Sequence, residues 1–367
     1  MNGQHPQRRA LFARALVGLA AGAVAVSMAA CGSSSSGGSG DKPQVKLGYF
    51  PNLTHASAIV GDQSGFFKQA LSKDSATLKT YQFNSGSDTL NALASGDLDA
   101  TYIGPSPALQ AWVQQNKSVR IISGSAVGGA ELVVKPSIKS VADLKGSKIA
   151  TPSAGNTQDI ALKYFLKEKG FKVSFEGKGD VTVINPQSNS AAITAYGSGD
   201  IDGAWMPEPY ASQLVSKGAK VLVNEKDLWP NGQFVTTMLL AREDFIKKHP
   251  DLVNDLLSGQ VQANDYIANS SDGAKKLVGN WLAKATGSSI DASVLDSAWN
   301  NLSFTNDPVA SSFLEGARHS VDVGAVKEGT SSRELDLSSL SKIYDLGPLN
   351  KVLKAAGDDP VKEPSTS

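Results

Sequence analysis

The segment SGDLDATYIG at Ser95–Gly104 returns as SGDIDGAWMP at Ser198–Pro207, 103 residues further along the chain. The same offset lays Phe50–Ala58 over Ser153–Ala161 and sets Thr54 above Thr157. Self-similarity at a fixed period signals repeated architecture, and two copies at so long a period describe two similarly built lobes rather than a solenoid. At 367 residues the chain has room for two such lobes.

The elements inside each copy follow from hydrophobic periodicity. Ten short runs, VKLGYF, LKTYQF, ATYIG, VRIISG, ELVVK, SKIATP, VTVIN, GAWM, KVLVN and VTTMLLA, read as strands bounded by Gly, Pro or Asn. Between them THASAIVGDQSGFF, DTLNALASG, PSPALQAWVQQN, TQDIALKYFLKEKG and NSAAITAYGSG carry apolar residues at helical spacing and often stop on Gly. Strand–helix alternation predicts α/β lobes with mostly parallel sheets. In the repeated segment, Asp99 and Asp202 are read as turn-closing residues that satisfy backbone donors, not as catalytic carboxylates. From Glu243 onward amphipathic helices take over and pack around a lobe already formed.

The amino terminus is set aside as a targeting segment. A basic stretch with Arg8, Arg9 and Arg14 precedes an Ala/Gly/Val run of about sixteen residues, too short for a bilayer-spanning helix. It ends on small residues before Cys31 and resembles the lipobox of bacterial lipoproteins, with Met28 where Leu is usual. Cys31 is the only cysteine, so it forms no internal disulfide, and a lone thiol in an exported protein is explained by lipidation. The Gly/Ser-rich stretch that follows reads as a flexible tether holding a folded body near the outer face of a membrane.

Composition excludes several classes. Net charge is zero, the basic residues are scattered, and no nucleic-acid footprint results. The chain lacks His-Glu-x-x-His, Gly-x-x-x-x-Gly-Lys and a strand-borne Gly-x-Gly-x-x-Gly, so no catalytic residue, metal or cofactor is expected. Ligands gather at the carboxyl ends of parallel strands beside helix amino termini. That rule selects Tyr49, Asn52, Thr54, His55, Ser106, Ser123, Ser125, Asn156, Thr157, Gln158, Trp205 and Glu208 as candidate ligand contacts. Thr54 and Thr157 are equally good helix caps, Asp159 is assigned to structure, and Trp205 is expected to turn its ring to the ligand. None of these loops contains Lys or Arg, which suits a weakly hydrated anion held by backbone N–H groups.

Taken in order, VKLGYFPNLTHASAIVG, ALASGDLDATYIGPSPAL, GNTQDIALKYFL and GDIDGAWMPEPYASQL resemble the substrate-binding proteins of ABC importers in the aliphatic sulfonate, taurine and nitrate group. The resemblance spans roughly Gln44 to Ser320. It implies a type II periplasmic-binding-protein fold, two α/β lobes joined by two crossover strands, with ELVVK and FVTTMLLA at the hinge. It also implies a protein that captures a small solute outside the cell and hands it to an ABC permease; with the lipobox-like segment before Cys31, read independently of the family, this describes an exported, lipid-anchored protein, expected to be a monomer. Residues 1–31 would be the signal peptide, 32–43 the tether, 44–134 plus 237–330 lobe I, 135–236 lobe II, and 331–367 a partly disordered extension. An aliphatic sulfonate is the first expectation for the ligand. A thiamine-pyrimidine precursor is the alternative, and nitrate ranks lower because its binders use basic side chains not placed here. An enzyme or a sensor on the same fold is the rival class.

Overall fold

The computed structural model describes residues 42–186 and 188–364. The segment expected to be a signal peptide ending at Cys31, nearly all of the expected tether, residue 187 and the last three residues lie outside them. The strands are β1 (Gln44–Tyr49), β2 (Thr77–Gln82), β3 (Ala100–Ile103), β4 (Val119–Gly128), β5 (Ala130–Val134), β6 (Lys148–Ala150), β7 (Thr182–Ile184), β8 (Gly203–Pro207), β9 (Lys220–Asn224), β10 (Val235–Arg242) and β11 (Leu302–Phe304). The helices are α1 (Ala56–Gln63), α2 (Phe66–Leu71), α3 (Gly86–Ser95), α4 (Pro105–Gln114), α5 (Thr157–Glu168), α6 (Asn189–Ser198), α7 (Tyr210–Ser216), α8 (Glu243–Lys248), α9 (Pro250–Asn269), α10 (Ser271–Thr286), α11 (Ala292–Asn300), α12 (Ala310–Asp322) and α13 (Gly347–Ala356). Among the described residues no helix is long and apolar enough to cross a membrane.

Two sheets result, one per lobe, in the orders β11-β4-β10-β3-β1-β2 and β7-β6-β8-β5-β9. They are mixed, which corrects the expectation of mostly parallel sheets. Only β2-β1-β3 and β7-β6-β8 run parallel. The chain passes straight from β4 into β5 and returns along β10, so both crossing strands run against the parallel set they join. At the first crossing Gly128 and Gly129 are both left-handed, with φ of 79° and 71°. A Cβ on Gly129 would stand 2.3 Å from Leu302 Cδ2, so glycine is required there for conformation and for space. β5 therefore belongs to the five-stranded sheet, and the boundary falls at Gly128–Gly129 rather than after Val134. The return crossing lies between Asn224 and Val235, which already pairs with Val127 in the six-stranded sheet.

Alternation along the strands builds a core on each face. In lobe I, Tyr102 and Leu239 face α1, α2 and α9, while Ile103 and Met238 face α3, α4 and α12. In lobe II, Leu132 and Trp205 face α5, while Val133 and Met206 face α6 and α7. The segment beyond residue 331 is no loose extension: Leu335, Leu340 and Ile343 fill one face of lobe I, and Leu346, Leu349 and Leu353 the other. Asn350 clips the end of this strap, donating to Val361 O at 3.0 Å and accepting from Val361 N at 2.8 Å.

The repeat is a structural device written twice. Ser85 and Ser188 cap α3 and α6 through their side chains. Gly96 and Gly199 end those helices in the left-handed conformation. Asp99 then accepts from Lys46 N and donates its own N–H to Lys46 O, both at 2.9 Å. Asp202 makes the same pair of bonds with Lys148, both at 2.8 Å. Each aspartate thus registers its strand against the parallel neighbour in its own lobe, β3 against β1 and β8 against β6.

Candidate ligand cleft

With the registers fixed, the carboxyl ends of β2, β3, β6 and β7 bring the amino termini of α3, α4, α5 and α6 to one place between the lobes, beside the turns that follow β1 and β8. The cavity they enclose is small, about 40 Å³. Phe50, Asn52, Thr54 and His55 form its wall after β1; Asn84 and Gly86 the wall after β2. Pro152, Ser153, Asn156, Thr157 and Gln158 face them from lobe II, with Asn189 and Pro207 beside them. No lining residue is Lys, Arg, Asp or Glu. The first-turn amides of a helix have no partner within the helix, and its dipole favours negative charge there. Four positive helix ends therefore face the cavity, and no cationic side chain lines it.

The lobes are closed on this space. Asn189 Nδ2 donates to Asn52 Oδ1 at 3.0 Å, Gln110 Nε2 to Gly155 O at 2.6 Å and Tyr210 OH to Pro51 O at 3.0 Å. A Cβ on Gly104 would meet Thr157 Oγ1 at 2.4 Å, so the α4 and α5 termini touch because residue 104 has no side chain. Asn189 Oδ1 is buried without a donor, an acceptor left over at the cavity wall.

His55 sits in the wall as a neutral ring. Burial pushes its pKa down to about 3. Phe50 N–H donates to His55 Nδ1 at 3.3 Å, which places the imidazole proton on Nε2. The ring stacks on Phe50 with centroids 4.8 Å apart. A histidine held this way is an N–H donor and a poor base.

Six of the twelve candidates line the cavity: Asn52, Thr54, His55, Asn156, Thr157 and Gln158. Asn156, not Thr157, caps α5, its side chain accepting from Asp159 N, so the Thr157 hydroxyl is not engaged as a cap. The other six lie elsewhere. Trp205 faces away from the cleft, fully buried, donating through Nε1 to Glu225 at 2.7 Å and packed edge-on to Phe165. Tyr49 likewise faces the helix layer of lobe I, where its hydroxyl donates to Asp62 at 2.7 Å. Ser123 and Ser125 are buried on β4 beneath the 305–308 segment, which meets Gly124. Ser106 is buried in α4 without lining the cavity. Glu208 is buried too, accepting from Ser212 in its own lobe and from Asn301 Nδ2 of lobe I at 2.7 Å. Its carboxyl is raised by burial, against which those donors act. Among residues the sequence reading passed over, Asn84–Gly86 carried a readable signal, a Ser-x-x-Asp start after a strand.

A larger space, about 540 Å³, opens between α5 and α12 beside Trp229. It lies away from the strand ends, and its walls mix Glu168, Glu225 and Glu315 with Lys169, His319 and the aromatic rings of Tyr164, Phe165 and Trp229.

A family model described as the NMT1-like family matches residues 38–283, which is two-thirds of the chain. The chain belongs to the NMT1-like family. Among curated relatives, the taurine-binding periplasmic protein of Escherichia coli (strain K12) is 35% identical over 53% of this chain and 59% of its own length. The matched region thus spans about three-fifths of that relative. A putative aliphatic sulfonates-binding protein of Bacillus subtilis (strain 168) is 30% identical over 63% of this chain and 68% of its own. Among solved structures, the alkanesulfonate-binding protein from Xanthomonas axonopodis pv. citri bound to MOPS superposes with a TM-score of 0.63 at 20% identity, covering 77% of this chain and 92% of the other. The NMT1-like chain therefore has a periplasmic-binding-protein fold, with two α/β lobes joined by two crossings.

Proposed function

We propose that this protein is the solute-binding component of an ABC importer, that its lobes close on a small organic anion, and that it performs no chemistry. An aliphatic sulfonate of the taurine kind is the ligand we assign. The observation that carries the reading is the small interlobe cavity, faced by four helix amino termini and lined by hydroxyls and amides without a cationic side chain. A sulfonate spreads one charge over three oxygens, a distribution that neutral N–H and O–H donors match in several directions. A multivalent phosphate would require countercharge that these walls do not supply. The orphaned acceptor Asn189 Oδ1 favours a ligand that also brings an N–H, as an aminosulfonate does and nitrate does not. The neutral, weakly basic His55 supports binding over turnover.

The relatives' names point the same way. Export and lipid attachment at Cys31 complete the proposal, with the permease as membrane partner; the support is the lipobox-like segment and the Gly/Ser tether. Calorimetry against taurine, short alkanesulfonates, nitrate, bicarbonate and aminopyrimidines tests the ligand. Binding of the sulfonates alone is expected; a response confined to the pyrimidines or to nitrate overturns the assignment. Cys31→Ala, expressed in a bacterium, should move the protein from the membrane fraction to the medium or periplasm.

A further inference from the structure

Behind the lobe II wall of the cleft, wholly out of contact with the cavity, lies a buried ion pair that a solute binder has no evident need to carry. Asp159 and Lys163 face each other at 2.6 Å, with side chains 0% and 1% exposed. Burying two charges costs several kcal/mol that their attraction does not reliably return, and an apolar pair of similar size is often as stable or more so. The pair is therefore explained by what its remaining hydrogen bonds hold.

Asp159 Oδ1 accepts from Thr151 Oγ1 at 2.9 Å and from Asn185 Nδ2 at 3.1 Å. Its Oδ2 accepts from Gly155 N at 2.8 Å as well as from Lys163. The Lys163 ammonium also donates to Phe175 O at 2.6 Å and lies 4.7 Å from the centre of the Phe175 ring. One carboxylate thus ties down Thr151 and Gly155, and the cavity residues Pro152 and Ser153 lie on the loop between those two anchors. Gly155 is left-handed, with φ of 73°, and its carbonyl accepts the interlobe bond from Gln110 Nε2. The peptide groups flanking Gly155 are therefore fixed by Asp159 on one side and bound by lobe I on the other. Lys163 has a second consequence. A lone carboxylate in the first turn of α5 would oppose an anion at that helix end, and the ammonium cancels it.

We propose that Asp159, neutralised by Lys163, is a positioning residue for ligand capture: it sets the 151–156 wall and aims the Gly155 carbonyl at Gln110, so that closure costs little reordering. The inference rests on the importer reading for its ligand and on the geometry alone for the positioning.

The test replaces the pair with apolar side chains, Asp159→Leu with Lys163→Met, and adds Gln110→Ala alone and in combination. Taurine and 1-butanesulfonate are the calorimetric probes. The apolar pair leaves the Thr151 hydroxyl and the Gly155 amide without their acceptor, so it should melt several degrees below wild type while still folding, and bind the probe at least tenfold more weakly. Gln110→Ala alone should weaken binding about fivefold, and should cost nothing further in the apolar background, because both changes remove the same interlobe contact. Wild-type affinity in the apolar variant, or fully additive losses, overturns the proposal. If the apolar variant fails to fold, Gln110→Ala still decides the closing contact: unchanged affinity refutes it. If wild-type protein binds neither probe, the ligand assignment falls. Positioning is then read from hydrogen exchange of the Gly155 amide in ligand-free protein, expected to be protected in wild type and released at least tenfold in Asp159→Asn, equal exchange overturning it.

Discussion

The side-chain amide of Asn189 in lobe II donates to the side-chain oxygen of Asn52 in lobe I across 3.0 Å, directly at the wall of the cavity. The contact that closes the lobes and the wall of the cavity therefore share the same two residues. Asn189→Ala removes a hydrogen bond worth about 1 kcal/mol and with it an acceptor for the ligand, so sulfonate affinity should fall about five- to thirtyfold. Calorimetry measures this, and unfolding midpoints should stay within a degree or two because the bond spans the lobes rather than either core.

Gly104 offers a cleaner test of closure. Its backbone, with φ of −74° and ψ of 161°, accepts any residue, yet a Cβ there would stand 2.4 Å from Thr157 Oγ1. Gly104→Ala should leave each lobe folded and reduce affinity by more than tenfold. Removing the obstructing oxygen as well, with Thr157→Ala, should restore part of the loss. Solution scattering on the single variant should show a larger radius with ligand present than the wild type does.

The cavity offers no titrating group near neutrality. His55 stays uncharged far below its usual range, its pKa pushed down to about 3 by burial. Sulfonate affinity should therefore change less than threefold between pH 5.5 and 8, and only weakly between low and moderate salt, since no exposed cation makes the contact. A tenfold drop in either series would show that a cation the cavity does not contain carries the binding.

Stability, unlike affinity, should respond to pH through two buried carboxyls. Glu131 on β5 is raised to about 7 by burial and then by the neighbouring Glu208. Glu225 is raised to about 7 by burial, against the indole donors that face it. A folded-state pKa above the unfolded value means the native state holds the extra proton. The contribution is complete below about pH 4.5 and is lost as pH rises through about 7. Glu131→Gln and Glu225→Gln should each flatten the decline in melting temperature from pH 5 to pH 8, compared with wild type measured side by side. His55 and His319 act in the opposite sense, which is why the comparison between variant and wild type, not the bare profile, is the measurement.

The fold was legible wherever local chemistry sufficed. Ser85, Gly96 and Asp99, with Ser188, Gly199 and Asp202, announce cap, stop and register within a few residues of one another. The lobe II wall was legible for the same reason, Asn156 standing just before a helix that follows a strand. Trp205 was not, because a strand has two faces and the partner that decides between them, Glu225, is twenty residues away across the sheet. Tyr49 failed in the same way, its choice of face depending on Asp62 and Trp281. In the strap at 331–361, Leu335, Leu340 and Ile343 stand in Ser- and Asp-rich turns without a regular period and become legible only against the core that receives them, whereas Leu349, Val352 and Leu353, at helical spacing before Gly357, carried a helix signal that was passed over.

Since Asp99 and Asp202 each lock a strand to the neighbour within their own half, the tips that follow, Gly104 and Pro207, keep their heights whatever the opposite half does. Substitutions on those tips are therefore felt where the halves meet, as at Gly104 and Thr157, and not in the sheet that carries them.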